Sequence, residues 1–474
     1  MTLHILCIVA AAAVLAMAVH TPAVADEARE AGRIKPCAKH PRYWQYKGKP
    51  VVLLGGSVDD NLFQIPKLKE HLDLLQSAGG NVIRNTMSDR PDHDYEVKAF
   101  RRRDDGRYDL NQWNDEYWRR FERMLRLTAE RDIIVQIEVW DRFDHSRGNW
   151  DVDPFNPKNN VNYTAEQSGL APVYPEHPGR NKQPFFFTVP KLRNNTVVLP
   201  WQRRFVEKML SYTVACDHVL YCMDNETSGS PEWPAYWAAF IREKARAAGV
   251  AVELTEMWDK WDVRHKTHRA TFDHPELYTF VDISQNSQTT GQANWDHAQW
   301  VRKYLAKRPR PMNETKIYGA DTGKWLERGI NTVHGKQTFW RNLLGGFASS
   351  RFHRPPSGLG LSDEARAQLR SARLLLRELD IFRCEPDAGG ALLKDRGDNE
   401  AYLTRVDGEQ YAVYFTDGGA VGLDLAKVSG TFRGRWLDVD RSRWAGSFDA
   451  KGGAVATLKA PAGGQWIALL VKAR

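Results

Sequence analysis

The chain has 474 residues, with 67 lysines and arginines against 59 aspartates and glutamates and a formal net charge of +8. That length holds one large domain and a small one, since a (β/α)8 barrel of about 250 residues or more counts as a single domain. Scattered Gly and Pro exclude a low-complexity or repeat architecture; the basic run Arg101-Arg102-Arg103 is answered at once by Asp104-Asp105, which excludes a sustained basic stripe for nucleic acid.

Residues 3–19 are an apolar run, closed by the small-residue pattern Ala23-Val24-Ala25 before Asp26. This predicts a signal peptide over residues 1–25, although only the α-amino group and His4 stand where Lys or Arg is usual. A membrane anchor is the alternative, but the run is short and a charged segment follows directly. The mature chain is therefore expected to be secreted or periplasmic, with no stable membrane span. Its cysteines are Cys37, Cys216, Cys222 and Cys384, and none has metal-ligand spacing. Cys37 precedes the expected barrel and Cys384 follows it, so a closing disulfide and buried thiols are both open in an oxidising compartment. Cys216 and Cys222 flank a strand and read as buried thiols.

From residue 26 short apolar runs alternate with amphipathic stretches, the order that yields a parallel sheet with crossover helices. The run 51–57 is the first strand and 66–80 its helix, opened by Pro66 and ended by glycines. Strands two and three are read at 81–85 and 133–141, with a helix over 113–132 between them. A polar loop over 142–200 is too long for a passive connection, and its embedded aromatics suit a wall of a binding site. A helix at 202–215, strand four at 218–226 and a helix at 233–249 follow. Strands five to eight are expected at 250–259, 279–287, 316–323 and 345–355, and a helix over 362–379 closes the barrel. The fold class is thus α/β, a (β/α)8 TIM barrel over 26–383. From 384 to 474 the short alternating runs AYLTRV, QYAVYFT, VGLDL, GRWLDV and QWIALLV, separated by Gly/Asp turns, predict a small antiparallel β-sandwich.

Functional side chains of such a barrel come from the carboxyl ends of its strands. The expected ends carry Asp59, Asp60 and Asn61, then Arg84 and Asn85, Glu138 and Asp141, Asn225 and Glu226, Glu256 and Asp259, Gln285 and Asn286, Asp321, and finally Arg351 and His353. Breaking a glycosidic bond needs a carboxylic acid to protonate the leaving oxygen and a carboxylate that attacks the sugar or activates water. A mouth this rich in carboxylates meets the need. Trp140, Trp150, Trp233, Trp258, Trp261 and Trp325 lie just past strand ends, where sugar faces could stack; with 17 Trp in the chain, core packing is the alternative. The 14 His show no paired ligand spacing, and no Gly-x-Ser-x-Gly frame follows a strand. Neither a metal nor a cofactor is expected. The positive charge suits an acidic ligand such as an anionic polysaccharide, or reflects only host composition.

Asn225-Glu226 closing strand four, Arg84 ending strand two and an acid ending strand seven resemble the clan A glycoside hydrolases. More narrowly, GKPVVLLGGS, PFNPKNNVNY, VLYCMDNE, GADTG before FWRNLLGGF, and the tail YAVYFTDGGAVGLDL with GRWLDVD resemble apiosidase-like secreted bacterial proteins. Those join a barrel to a tail named as a collagen-binding domain, and the resemblance spans nearly the whole mature chain. It implies Glu226 as the catalytic acid/base, Asn225 as the amide for the sugar 2-hydroxyl, Arg84 as the holder of the nucleophile, and Asp321 as that nucleophile. Asp321 departs from the pattern, because the clan usually has the longer Glu there. Glu256 is the next candidate for the second carboxylate, followed by Glu138 or Asp141. Trp140, Gln285 and His353 join Asn225, Arg84, Asp141, Glu138 and Glu256 as expected substrate contacts. The expectation is a secreted glycoside hydrolase acting on an oligo- or polysaccharide, and the rival a non-catalytic carbohydrate- or matrix-binding barrel.

Overall fold

A computed structural model describes residues 32–87 and 93–473. The expected signal peptide lies outside the described residues. Eight parallel strands form the barrel: β1 (Leu53–Gly56), β2 (Val82–Thr86), β3 (Ile134–Asp141), β4 (Val219–Asn225), β5 (Glu253–Thr255), β6 (Val281–Asp282), β7 (Met312–Ile317) and β8 (Ser349–Phe352). They neighbour one another in the order β5-β4-β3-β2-β1-β8-β7-β6. The remaining seam is bridged where Thr279 N donates to Leu254 O at 3.0 Å and the Thr255 hydroxyl to Phe280 O at 2.9 Å. Every residue of β3 and of β4 is buried, as continuous runs must be when a sheet is covered on both faces.

The helices fall between the strands: α1 (Leu68–Ser77), α2 (Asp115–Ala129), α3 (Leu199–Thr213), α4 (Glu232–Ala247), the single turn α5 (Arg269–Phe272), α6 (Gly291–Tyr304), α7 (Thr332–Leu344) and α8 (Asp363–Leu376). Asn114 caps α2 by accepting from Glu116 N, and Ser362 caps α8 by accepting from Ala365 N, the side-chain oxygens replacing partners that a first helical turn lacks.

One strand is displaced from its expected place. β7 begins four residues before the apolar-looking run at 316–323 and consists of MNETKI, all buried. Two of its polar side chains, Asn313 and Thr315, bond across the barrel interior. Asn313 accepts from Trp44 Nε1 at 3.0 Å and donates to Gln136 at 3.1 Å, and the Thr315 hydroxyl donates to Asp282 at 3.0 Å. Buried polar groups are tolerated on that condition. β5 and β6 are also shorter than expected, the latter giving way to a 3-10 turn over Ser284–Gln288.

The loop over 142–200 departs from the expected binding wall along much of its length. Its Trp150, Phe155, Phe185 and Phe186 are buried, and Asn156 ties it together by donating to Trp150 O and Pro172 O. These rings pack a second apolar layer over the barrel's flank. No disulfide joins the four described cysteines: of the two outcomes left open for Cys37 and Cys384, the structure has the buried thiols.

The carboxy-terminal strands form two antiparallel sheets. One holds β9 (Glu385–Pro386), β11 (Ala401–Val406), β12 (Gln410–Phe415), β14 (Thr431–Asp438), β15 (Arg443–Lys451) and β17 (Trp466–Lys472); the other holds β10 (Leu393–Lys394), β13 (Ala420–Asp424) and β16 (Val455–Lys459). This sandwich packs on the outer helices. Trp295 of α6 meets Tyr402 at 4.9 Å between ring centroids, Trp340 of α7 stacks on Tyr414 at 5.9 Å, and Ser371 of α8 donates to Val439 O at 2.7 Å.

Candidate functional site

Asn225 closes β4, and the next residue, Glu226, adopts a left-handed backbone with φ +56°. Non-glycine residues hold that conformation only where their surroundings compel it. Here the chain is fixed on the far side by Thr227, which bridges to Trp258 beyond β5. Thr227 N donates to Met257 O at 2.8 Å and Asp259 N to Thr227 O at 2.9 Å. The chain segments leaving β4 and β5 therefore run side by side.

Across the mouth, β7 sends Lys316 to this turn. Its ammonium donates to Asn225 Oδ1 at 3.0 Å and to Glu226 Oε1, and the Tyr318 hydroxyl donates to the same Oε1 at 2.9 Å. Asn225 in turn donates to Asp141 at 3.0 Å. Burial alone would raise the Glu226 carboxyl, but the charge and hydrogen bond of Lys316, with help from Gln285 and Tyr318, bring it down to about 2. Glu226 is thus an anion at neutral pH, suited to attack or to accept a proton. The resting proton donor expected from the sequence is not what these surroundings produce. Burial disfavours the Lys316 charge, yet facing Glu226 it is held protonated.

Arg84 sits in a different arrangement. Wholly buried, it donates twice to Glu138 and once to Asp60. Asp60 also accepts from Arg354 Nε at 2.5 Å and lies 3.7 Å from His353 Nδ1. Arg84 therefore braces Glu138 and Asp60, neither of which is the expected nucleophile. Burial raises the Glu138 carboxyl and Arg84 pulls it back, leaving it at about 7. Burial keeps the His353 ring neutral, and it meets the Tyr318 ring near-perpendicularly, centroids 5.2 Å apart.

The other expected contacts divide by exposure. Gln285 is buried and lowers the Glu226 carboxyl, so it belongs to the site. Glu256 is fully buried; it accepts from the Thr227 hydroxyl, and burial together with neighbouring Asp224 raises its carboxyl well above the usual range. Asp224 is itself paired with Arg142 at 2.7 Å. That places Glu256 behind the mouth, in a closed acid cluster. Trp140 is 2% exposed, with its ring against Phe155, Phe185, Phe205, Trp233 and Trp237; it is core and presents no face to a sugar. Trp150, Trp233 and Trp258 are likewise buried.

Asp321 lies four residues past the end of β7 and is exposed. The displacement of the strand explains this, because the inward position near its end belongs to Lys316. Lys316 and Tyr318 are the site residues that sequence reasoning missed. Their only signal was a lysine within a strand whose polar makeup hid it. Trp325, half-buried, stacks with centroids 4.2 Å apart on Tyr318, the residue whose hydroxyl bonds Glu226.

No family model and no curated protein matches the sequence. Solved structures do match in fold. A glycoside hydrolase family 5 structure from Bacteroides vulgatus ATCC 8482 is similar with a TM-score of 0.63 at 14% identity, covering 94% of this chain and 94% of that one. A second structure, described as a glycoside hydrolase, is similar with a TM-score of 0.60 at 12% identity, covering 93% of this chain and 97% of that one. The likeness is one of fold, a TIM barrel and its β-sandwich together.

Proposed function

We propose that the chain is an exported glycoside hydrolase that cleaves O-glycosidic bonds in an oligo- or polysaccharide, with Glu226 at the reaction centre. The observation that carries this reading is the Glu226 carboxylate itself. It projects from left-handed backbone at a strand end, keeps 11% of its side chain exposed, and is held ionised by Lys316 and Tyr318. An anion so placed can meet the positive charge that develops on a sugar ring as its glycosidic bond breaks. Asn225, locked between Lys316 and Asp141, and the Tyr318–Trp325 stack supply a fixed amide and an aromatic surface beside it. The small-residue pattern ending at Ala25 supports export, the +8 charge supports an anionic glycan, and the described activity of the similarly folded structures supports the reaction class.

The test is a panel of neutral and anionic glycans given to the purified chain. Glu226→Gln should lower kcat/KM on the responsive glycan by about 10³-fold, or ~4 kcal/mol, with the circular dichroism spectrum unchanged. A variant as active as the wild type would sink the reading. The Lys316–Glu226 ion pair also favours a second reading, a carbohydrate-binding barrel whose acid is neutralised. Calorimetric binding of a glycan with no sugar released would decide for it.

A further inference from the structure

Most of the loop over 142–200 packs on the barrel's flank, but its tip does not. There the chain makes a single 3-10 turn, Pro178–Arg180, with His177, Gly179 and Arg180 exposed. The turn touches both segments that leave the mouth at β4 and β5. Ser228 donates to Pro178 O at 3.0 Å, and a Cβ on Gly179 would stand 3.5 Å from Asp259 Oδ2. Ser228 is two residues past Glu226, at most about 7 Å of chain. The tip is thus within reach of a glycan held at Glu226.

The tip's own bonds are short-range. Gly179 N donates to His177 Nδ1 at 3.1 Å, Arg180 N to His177 O at 2.8 Å and Asn181 N to Pro178 O at 2.9 Å. They shape the turn without fixing where it stands, and exposed loop tips move unless tied down. The tie is Arg142, which is 2% exposed. It donates through Nε to Asp224 Oδ2 at 2.7 Å and through Nη1 to Asn181 Oδ1 at 2.9 Å, with its guanidinium 4.3 Å from the centre of the Phe186 ring. Asp224 directly precedes Asn225 and Glu226. One planar cation therefore joins the strand that carries the acid to the tip of the loop, a two-point bridge that the compact ammonium of a lysine does not reproduce. Gly229 leaves it room: a Cβ there would meet Asn181 Oδ1 at 2.7 Å and Arg142 Nη2 at 2.9 Å.

We propose that the turn over residues 178–181 is a substrate-binding wall of the mouth, and that Arg142 is the positioning residue that holds it against the Glu226 turn. The inference rests on the glycoside hydrolase reading and adds the wall to it. Arg142 touches no substrate. It sets the wall in place before the glycan arrives, so that binding need not order it. Loss of the bridge weakens the hold on ground state and transition state alike, which raises KM and leaves kcat in place.

The experiment turns on Asn181→Gly, which removes the acceptor of the bridge while glycine readily takes the left-handed backbone of this position, φ +52°. On a glycan that the wild type cleaves, KM should rise about tenfold, the scale of one hydrogen bond to a charged group, with kcat within about twofold. Arg142→Lys and Gly229→Ala, which drives a methyl into the bridge, should do the same. Arg142→Lys combined with Asn181→Gly should do no more than either alone. In Asn181→Gly, amide exchange at residues 179–181 should quicken while that of Thr227 stays as in the wild type. An unchanged KM, or a loss carried by kcat instead, overturns the wall, and unchanged exchange overturns the bridge; both spare the glycoside hydrolase reading, which Glu226→Gln tests. Should the wild type cleave no glycan, that reading falls, and calorimetry with the same panel judges the wall. Glycan binding that weakens in Asn181→Gly supports it, and equal binding, or none to either protein, overturns it.

Discussion

Two sides of the barrel mouth use the same residue types to opposite ends. At β1–β3, Arg84, Glu138 and Asp60 are buried and mutually bonded, so each carboxylate finds a donor and nothing is left for a ligand. At β4, β5 and β7, among the described residues, Lys316 bonds one oxygen of Glu226 and the Asp259 carboxyl accepts no hydrogen bond. A closed ion network serves the fold; an open one keeps charge available to chemistry. Both set cations against acids, so what separates them is satisfaction and exposure.

The comparison can be broken at its closed side first. Arg84→Met strands buried Glu138 and leaves Asp60 to Arg354, and urea unfolding should show a loss of about 3–5 kcal/mol; a loss near zero would mean that the network is no brace. On the open side the expected effect is somewhat smaller and depends on pH. Because the folded Glu226 carboxyl is lowered from 4.5 to about 2, its stabilisation is complete above the unfolded value and fades as pH falls from 4.5 to 2. The wild type should therefore lose stability relative to Glu226→Gln across that window, by on the order of 3 kcal/mol. Parallel curves would show that Lys316 does not hold the anion. Asp259 gives the smallest effect and the opposite sign. Its folded carboxyl keeps a proton that the unfolded chain releases between pH 3.8 and about 7, so stability falls as pH rises through that range. Asp259→Asn should be more stable than wild type near pH 8 by about 1–2 kcal/mol and equal to it in acid. Equal stability at both ends would mean that the carboxyl is unstrained.

The barrel strands β1–β4 and most of the sandwich were legible in the sequence, because long apolar runs such as IVQIEVWD and VLYCMD bury on both faces and little else can. Glu226 and Asn225 were legible for the same reason, since they end such a run. β7 was not. MNETKI carries no apolar periodicity, and the interior network through Asn313 and Thr315 that admits it involves Gln136, Asp282 and Trp44, residues far away in the chain. A strand over 316–323 ends by Asp321, whereas the strand over Met312–Ile317 ends by Lys316. Trp140 was misjudged differently: its position past a strand end suited a sugar platform, but a cluster of rings from the following loop and from α3 and α4 covers it.

By itself the sequence determined the architecture and the position of Glu226, because hydrophobic periodicity is local and strand ends follow from it. Only the tertiary structure decided what state Glu226 is in. Charge state depends on burial and on neighbours within a few ångströms, and the neighbour that sets it here, Lys316 from β7, is 90 residues away along the chain.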